Sequence, residues 1–204
     1  MRRRLSSLAW RKLEEGAVWS TAVPKPWKKA AVGASNGAQM LRAERLVSPE
    51  VLSSARALLP GLRFDRDADS VDRSPTFELR WVHAGRYTHR GLENVFKETV
   101  ETRILPLLRN SSLLSHISGL SGELVLCEAL IRVYEEGARR VHPAHYDADA
   151  LVTAVLEIDT SSEGAPSFEG AGFYVQPGAH VSSRIPITMG SGDVIAHSFD
   201  LQHG

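Results

Sequence analysis

A single cysteine, Cys127, stands in the whole chain, so an internal disulfide is excluded and a reducing compartment fits. Neither sign of charge is in excess. The 24 lysines and arginines balance 24 aspartates and glutamates, which removes the electrostatic argument for nucleic acid or an anionic membrane as a partner. No apolar run approaches the roughly 18 residues of a membrane span, and no signal-peptide core follows the N-terminus. Internal repeats are also missing. The expected setting is therefore intracellular. What is present is ordinary for a globular domain: 43% hydrophobic and 24% charged residues in 204, enough for one domain with a real core, or one domain plus an arm.

Residues 1–40 read differently from the rest. MRRRLSSLAWRKL is basic and mildly amphipathic, and TAVPKPWKKAAVGASNGA is broken by Pro24, Pro26, Gly33 and Gly37. Periodic apolar residues that would bury a face are lacking, so the expectation is a solvated arm with few core contacts, ahead of one domain over residues 41–204. Its arginines and serines suit an organelle transit peptide, but Glu14 and Glu15 fit that role poorly.

Over residues 48–110 the pattern is mainly helical. Ser48 can cap a helix, Pro49 suits its first position, and Val51, Leu52, Ala55, Leu58 and Leu59 recur at helical spacing before Pro60-Gly61 ends the run. DRDADSVDRSP reads as a polar loop. Phe77, Leu79 and Trp81 alternate along a strand. A second helix is expected from Leu92 to about Leu108, burying Val95, Phe96, Val100, Ile104 and Leu107, with Pro106 kinking or shortening it. Two such helices suit a layer packed on the outside of a β core.

Residues 123–204 are strand-rich. ELVLCEALIRVYEEG predicts two strands or one bent strand ending in a turn at Glu135, Glu136 and Gly137. ALVTAVLEI is a further strand, TSSEGAPSFEG a loop, and GFYVQPG, VSSRIPI and GDVIAHSF short strands between glycine-containing turns. Short strands with frequent turns point to a sandwich or jelly roll. The chemistry-bearing pattern is His145-Tyr146-Asp147: residues two apart on an extended strand share a face, so both can reach one ion. A distant histidine, His203 or His197, would complete a two-histidine, one-carboxylate set. Without that metal, His145 and Asp147 are a histidine and a turn aspartate after a strand. Asp149 shares the parity of Asp147 and is a rival ligand. His142, three residues before His145, should face away from it as a surface histidine, and His180 lies in a Pro-Gly loop.

CEALIRVYEEG, then His145-x-Asp147, TAVLEI, FEGAGFYV and GDVIAHSFDLQHG resemble, in that order, the iron- and 2-oxoglutarate-dependent dioxygenases of the prolyl 4-hydroxylase-like superfamily, over about the last third of the chain. The resemblance implies an α+β fold built on a double-stranded β-helix (jelly roll), with helices packed on one side. It implies iron(II) held by His145, Asp147 and His203, with Tyr134 and Thr153 at the co-substrate 2-oxoglutarate and no catalytic side chain beyond the metal ligands. Dioxygen and ascorbate complete the set. The substrate would be a protein side chain, prolyl residues first, or a small molecule. Two departures stand out. Glu157 occupies a position where several prolyl hydroxylases have a co-substrate-binding tyrosine. The family's arginine or lysine beyond the distal histidine, which grips the far carboxylate of 2-oxoglutarate, has no counterpart after Gly204. The expectation is thus a C-terminally incomplete oxygenase whose His203 sits on a fraying end, with Arg184 a conceivable substitute cation. A catalytically silent β-helix binding domain and a cupin-like metalloprotein of other chemistry are the competing readings.

Overall fold

The computed structural model describes residues 2–12, 40–115, 123–135, 142–147, 149–158 and 172–204, with only the backbone described for residues 2–12 and residue 135. The expected turn at Glu136-Gly137, the expected loop over residues 160–170 and most of the expected arm lie outside these residues. Strand β1 runs over Arg2–Lys12 and β2 over Met40–Ala43. Helix α1, Pro49–Leu58, begins as its sequence predicts: the Ser48 side chain accepts from the Val51 N–H at 3.4 Å, and Pro49 opens the first turn. Leu52, Ala55 and Leu59 are its buried face, and a 3-10 turn, Leu59–Gly61, closes it.

β3 (Asp65–Ala68), β4 (Pro75–His83) and β5 (Arg86–Tyr87) form antiparallel hairpins. The first four residues of the expected polar loop are thus a strand. β3 has no buried residue, so it lacks the apolar alternation that marks a strand in a sequence; charge along an open edge also discourages pairing with another chain. In β4 the register slips between Arg80 and Val82, and this bulge lets both Trp81 and Val82 be buried instead of alternating.

The second helix arrives in three pieces: α2 (Arg90–Thr99), a π-helical turn (Val100–Ile104) and α3 (Leu105–Arg109). Pro106 has no N–H to give and its ring crowds the carbonyl four residues back; the wide turn just before it relieves both problems. It also sets the buried face. Leu92, Phe96, Val100, Ile104 and Leu108 are all buried at steps of four, whereas a straight α-helix drifts about 40° at each such step. The widened turn drifts the other way, which is why Leu108 is buried and Leu107 only half-buried.

β6 (Leu124–Glu135) is one long strand, followed by β7 (Val152–Glu157), β8 (Phe173–Val175), β9 (Ile185–Ile187) and β10 (Val194–Ser198). The main antiparallel sheet has the order β2-β10-β7-β1-β6-β4-β3, with β5 on β4. β8 and β9 pair separately, and isolated bridges join Val175 to His203 and His203 to His145, so four short segments lie side by side in a second layer. The result is a mixed α+β architecture of antiparallel sheets with helices on one face.

β7 shows how the layers share the chain. Val152, Ala154 and Leu156 belong to the core under the helices, with Leu92, Phe96 and Ile104. Val155, one step out of phase, packs with Ile195 against Phe173, Val175 and Ile187 of the second layer. All six residues of β7 are buried, as a strand covered on both faces requires, and four of the six are apolar.

Part of the expected arm is structural. β1 lies in the interior of the main sheet, antiparallel to β6 from Arg2↔Glu135 to Lys12↔Leu124 and to β7 from Leu5↔Glu157 to Trp10↔Val152. Its sequence is more basic than an interior strand usually is, which is why it reads as solvated. Among the described residues no helix is long and apolar enough to cross a membrane.

Candidate metal centre

A turn before β10 sets the strand that carries His197. Before β10, Gly192 adopts φ +86°, and a Cβ there would meet the Val47 carbonyl oxygen at 2.6 Å, so glycine is required. Asp193 locks the same turn: its carboxylate accepts from the backbone N–H of Gly190 (2.9 Å) and Arg45 (3.0 Å) and from the Arg42 guanidinium (3.1 Å). β10 then runs beside β7 with His197 opposite Thr153.

After β10 the chain crosses to the second layer. His203 and His145 exchange backbone hydrogen bonds (2.9 and 3.0 Å), and Tyr174 and Gly204 do the same (2.9 and 3.0 Å). The expected fraying of His203 is therefore corrected: it sits in a ladder between His145 and Val175 and is buried. Gly204 is tight as well. Over it the Tyr174 hydroxyl donates to the His142 carbonyl at 2.7 Å, and any Cβ at position 204 would strike both groups.

His145, Asp147 and His203 converge, each offering one ligand atom within 4.8 Å of the others. His145 Nε2 lies 3.6 Å from one Asp147 oxygen and His203 Nε2 lies 3.6 Å from the other. His197 joins them: its Nε2 is 3.9 Å from the oxygen that faces His203, and the two rings are 4.0 Å apart, centre to centre. All three histidines are oriented alike. Nδ1 lies against a backbone carbonyl, that of Pro143 for His145 (3.0 Å), of Ser198 for His197 (3.1 Å) and of Leu201 for His203 (3.1 Å). A carbonyl can only accept, so Nδ1 carries the hydrogen and, in the neutral ring, Nε2 presents its lone pair to the centre.

Electrostatics agree with that tautomer. Burial pushes the His203 imidazole down to about 3, and burial lowers that of His197 too, so both rings are neutral at neutral pH. Against the upward push of burial, the Asp147 carboxyl among these imidazoles is held well below the usual carboxylate range, so it is the carboxylate. One carboxylate thus faces three imidazole nitrogens with lone pairs and no hydrogens between them. A divalent cation fits such a donor set. The His203 and His197 side chains are sealed, while those of His145 and Asp147 are 20% and 26% exposed, so the open side is theirs. Phe173 lies on both sealed rings at centroid distances of 5.6 and 5.8 Å.

Of the remaining expected site residues, Thr153 lies buried against Asp147. Tyr134 hydrogen-bonds Arg132, which reaches Glu78 (2.7 Å) and Asp69 (3.4 Å). That network touches the centre through His142, whose Nε2 is 3.1 Å from Asp69 and whose ring lies 4.4 Å from that of His145. His142 is therefore not a surface histidine; its side chain is 8% exposed. Asp149 is exposed. Arg184 is engaged in the second layer, donating to Gln176 Oε1 at 2.9 Å and lying over the Tyr174 ring at 4.5 Å. His180 caps the short turn Val181–Ser183. Buried Glu157 ends β7, where its backbone N–H donates to the Asp193 carbonyl.

Comparison of the chain with family models, with curated proteins and with solved structures returns no match.

Proposed function

We propose that this chain is a non-haem iron(II)- and 2-oxoglutarate-dependent dioxygenase on a jelly-roll frame, hydroxylating a protein side chain, prolyl residues first, or a small molecule. The observation that carries the reading is the meeting of His145, Asp147 and His203 with their ligand atoms within 4.8 Å of one another. Two imidazoles and one carboxylate are a donor set suited to iron(II), and they leave positions for other ligands. The jelly roll is supported by the path of the chain, which alternates between layers: β6 in the main sheet, residues 142–147 in the second, β7 back in the first, β8 and β9 in the second, β10 in the first and residues 201–204 in the second.

When bound, iron(II) supplies a redox-active Lewis acid at which dioxygen and an oxo acid can react. The chain does the rest. Backbone carbonyls of Pro143 and Leu201 fix the ring orientation of His145 and His203, so that the lone pairs stay aimed at the ion. Phe173 and the apolar cluster behind it exclude water from the sealed flank, leaving the His145–Asp147 side for substrate. Thr153 and Tyr134 are the residues this reading assigns to 2-oxoglutarate.

The test is succinate release by the full chain with iron(II), 2-oxoglutarate, ascorbate and a panel of proline-containing peptides, against an Asp147→Ala control. Release that needs both iron and Asp147 is the expected result. Tight metal binding with no succinate from any substrate would sink the oxygenase and favour a silent binding domain or a cupin-like metalloprotein of other chemistry.

A further inference from the structure

We propose that His197 is a fourth protein ligand of this centre, which makes it a three-imidazole, one-carboxylate site for a first-row divalent transition metal; the inference rests on the metal-site reading above. The starting point is one atom. His197 Nε2 is fully buried and finds no hydrogen-bond partner among the described residues. Buried polar atoms are nearly always satisfied, and an exception at the heart of a cluster asks for an occupant. Its Nδ1 is committed to the Ser198 carbonyl, so Nε2 has no hydrogen to donate in the neutral ring and presents only a lone pair. That lone pair is not aimed into apolar space. It faces the Asp147 oxygen at 3.9 Å, the same oxygen that His203 Nε2 approaches at 3.6 Å.

The distances suit one shared ion. Donors about 2.1 Å from a common centre stand about 3 Å apart when adjacent and about 4.2 Å apart when opposite. From one Asp147 oxygen, Oδ2, the separations of 3.6 Å to His203 Nε2 and 3.9 Å to His197 Nε2 fall between those limits, while His145 Nε2 approaches the other oxygen at 3.6 Å. A bridging water has two hydrogens and could satisfy two acceptors, but the cluster offers three imidazole lone pairs and a carboxylate. A cation satisfies all of them together. Placement adds weight. His197 lies within β10, backbone-paired to Thr153 on one side and Met40 on the other, so its ring has little freedom to turn away. It also stacks on Phe173.

The chemical consequence is a count of open positions. Four protein donors leave a six-coordinate ion two positions, where three donors leave three. Two are enough for a bidentate oxo acid alone, so a His197 ligand ties any dioxygen chemistry to departure of one donor. Three imidazoles also move the preference toward nitrogen-loving ions such as cobalt(II), nickel(II) and zinc(II).

The experiment uses the full-length wild-type chain, stripped of metal and loaded with cobalt(II) alone. X-ray absorption at the cobalt edge counts coordinated imidazoles through their multiple scattering. Cobalt(II) titrations of wild type, His197→Gln and His203→Gln give the affinities, and circular dichroism checks each fold. Three imidazoles in the wild type, with at least a tenfold weaker cobalt(II) affinity in His197→Gln, is the expected result. Should His197→Gln fail to fold, the wild-type count decides by itself. Two imidazoles would overturn the proposal whatever the variant does, and leave the His145, Asp147 and His203 site standing. A wild-type chain that binds no cobalt(II) would take down both this inference and the metal-site reading.

Discussion

Asp193 is where the position of His197 is set, and removing it should cost stability in a pH-dependent way. The carboxylate is buried and has three partners: the Gly190 N–H, the Arg45 N–H and the Arg42 guanidinium. Asp193→Ala leaves two backbone donors and one cation without their acceptor. At roughly 1–3 kcal/mol for each orphaned donor, discounted because Arg42 is itself partly exposed, the loss is about 3 kcal/mol. In a domain of this size that is a fall of about 6–12 °C in Tm. Burial pushes the Asp193 carboxyl up, but the Gly190 and Arg45 N–H groups and Arg42 outweigh it, so its folded-state pKa is depressed. A depressed carboxyl contributes stability that is complete above the unfolded value, about 3.9, and is lost as pH falls through the folded value. The Tm gap between wild type and Asp193→Ala should therefore be full at pH 7 and close progressively below about pH 4. Thermal unfolding of both proteins by circular dichroism from pH 7 to pH 3 measures it. A gap that stays constant to pH 3, or no gap at pH 7, would show that the ionised carboxylate does not anchor the turn.

Two further outcomes follow from the polar network and from the tight glycine. Asp69→Asn should weaken cobalt(II) binding by about threefold with the fold intact, less than the tenfold or more carried by a direct partner of a ligand, because Asp69 acts on His145 only through the ring of His142; isothermal titration of the two proteins reads it, and equal affinities would mean that the network does not position His145. Gly204→Ala should cost about 1–3 kcal/mol by forcing apart the Tyr174 hydroxyl and the His142 carbonyl, seen in urea unfolding, and an unchanged midpoint would mean that the cradle yields freely.

The elements that could be read from the sequence are those whose buried face is local. Ser48, Pro49 and the spacing of Leu52, Ala55 and Leu59 specify α1 without help from any distant residue. The same holds for β7 and β10, whose Val, Ile, Leu and Ala residues announce buried strands. β3 and β1 could not be read this way, for opposite reasons. β3 buries nothing and is held by its pairing with β4. β1 is basic, yet its backbone pairs with β6 and β7, two strands separated from it by more than a hundred residues. Backbone hydrogen bonds of that kind leave no side-chain signature, so composition alone assigns such a strand to solvent.

The centre divides along the same line. His145 and Asp147 are legible because they are neighbours on one segment, and parity alone gives them a common face. The distal donor is a tertiary fact. In the sequence His197 and His203 are rivals for a single place, since an alignment of motifs offers one slot for one histidine. Folding removes the rivalry: β10 delivers His197 from the main sheet, the chain then crosses layers, and the second layer delivers His203, so that the two rings meet 4.0 Å apart from opposite sheets. Asp69 and His142 were hidden more deeply still. They are joined across 73 positions, and His142 gave no sign of burial, because three residues along an ideal strand would point it away from His145. Among the described residues, 142–147 bridge to their neighbour only at His145, so strand parity does not govern His142, and its ring comes to lie between His145 and Asp69. A ligand pattern in a sequence therefore points to a candidate metal centre by its local pair, while which further donors join it is decided by how two sheets close on each other.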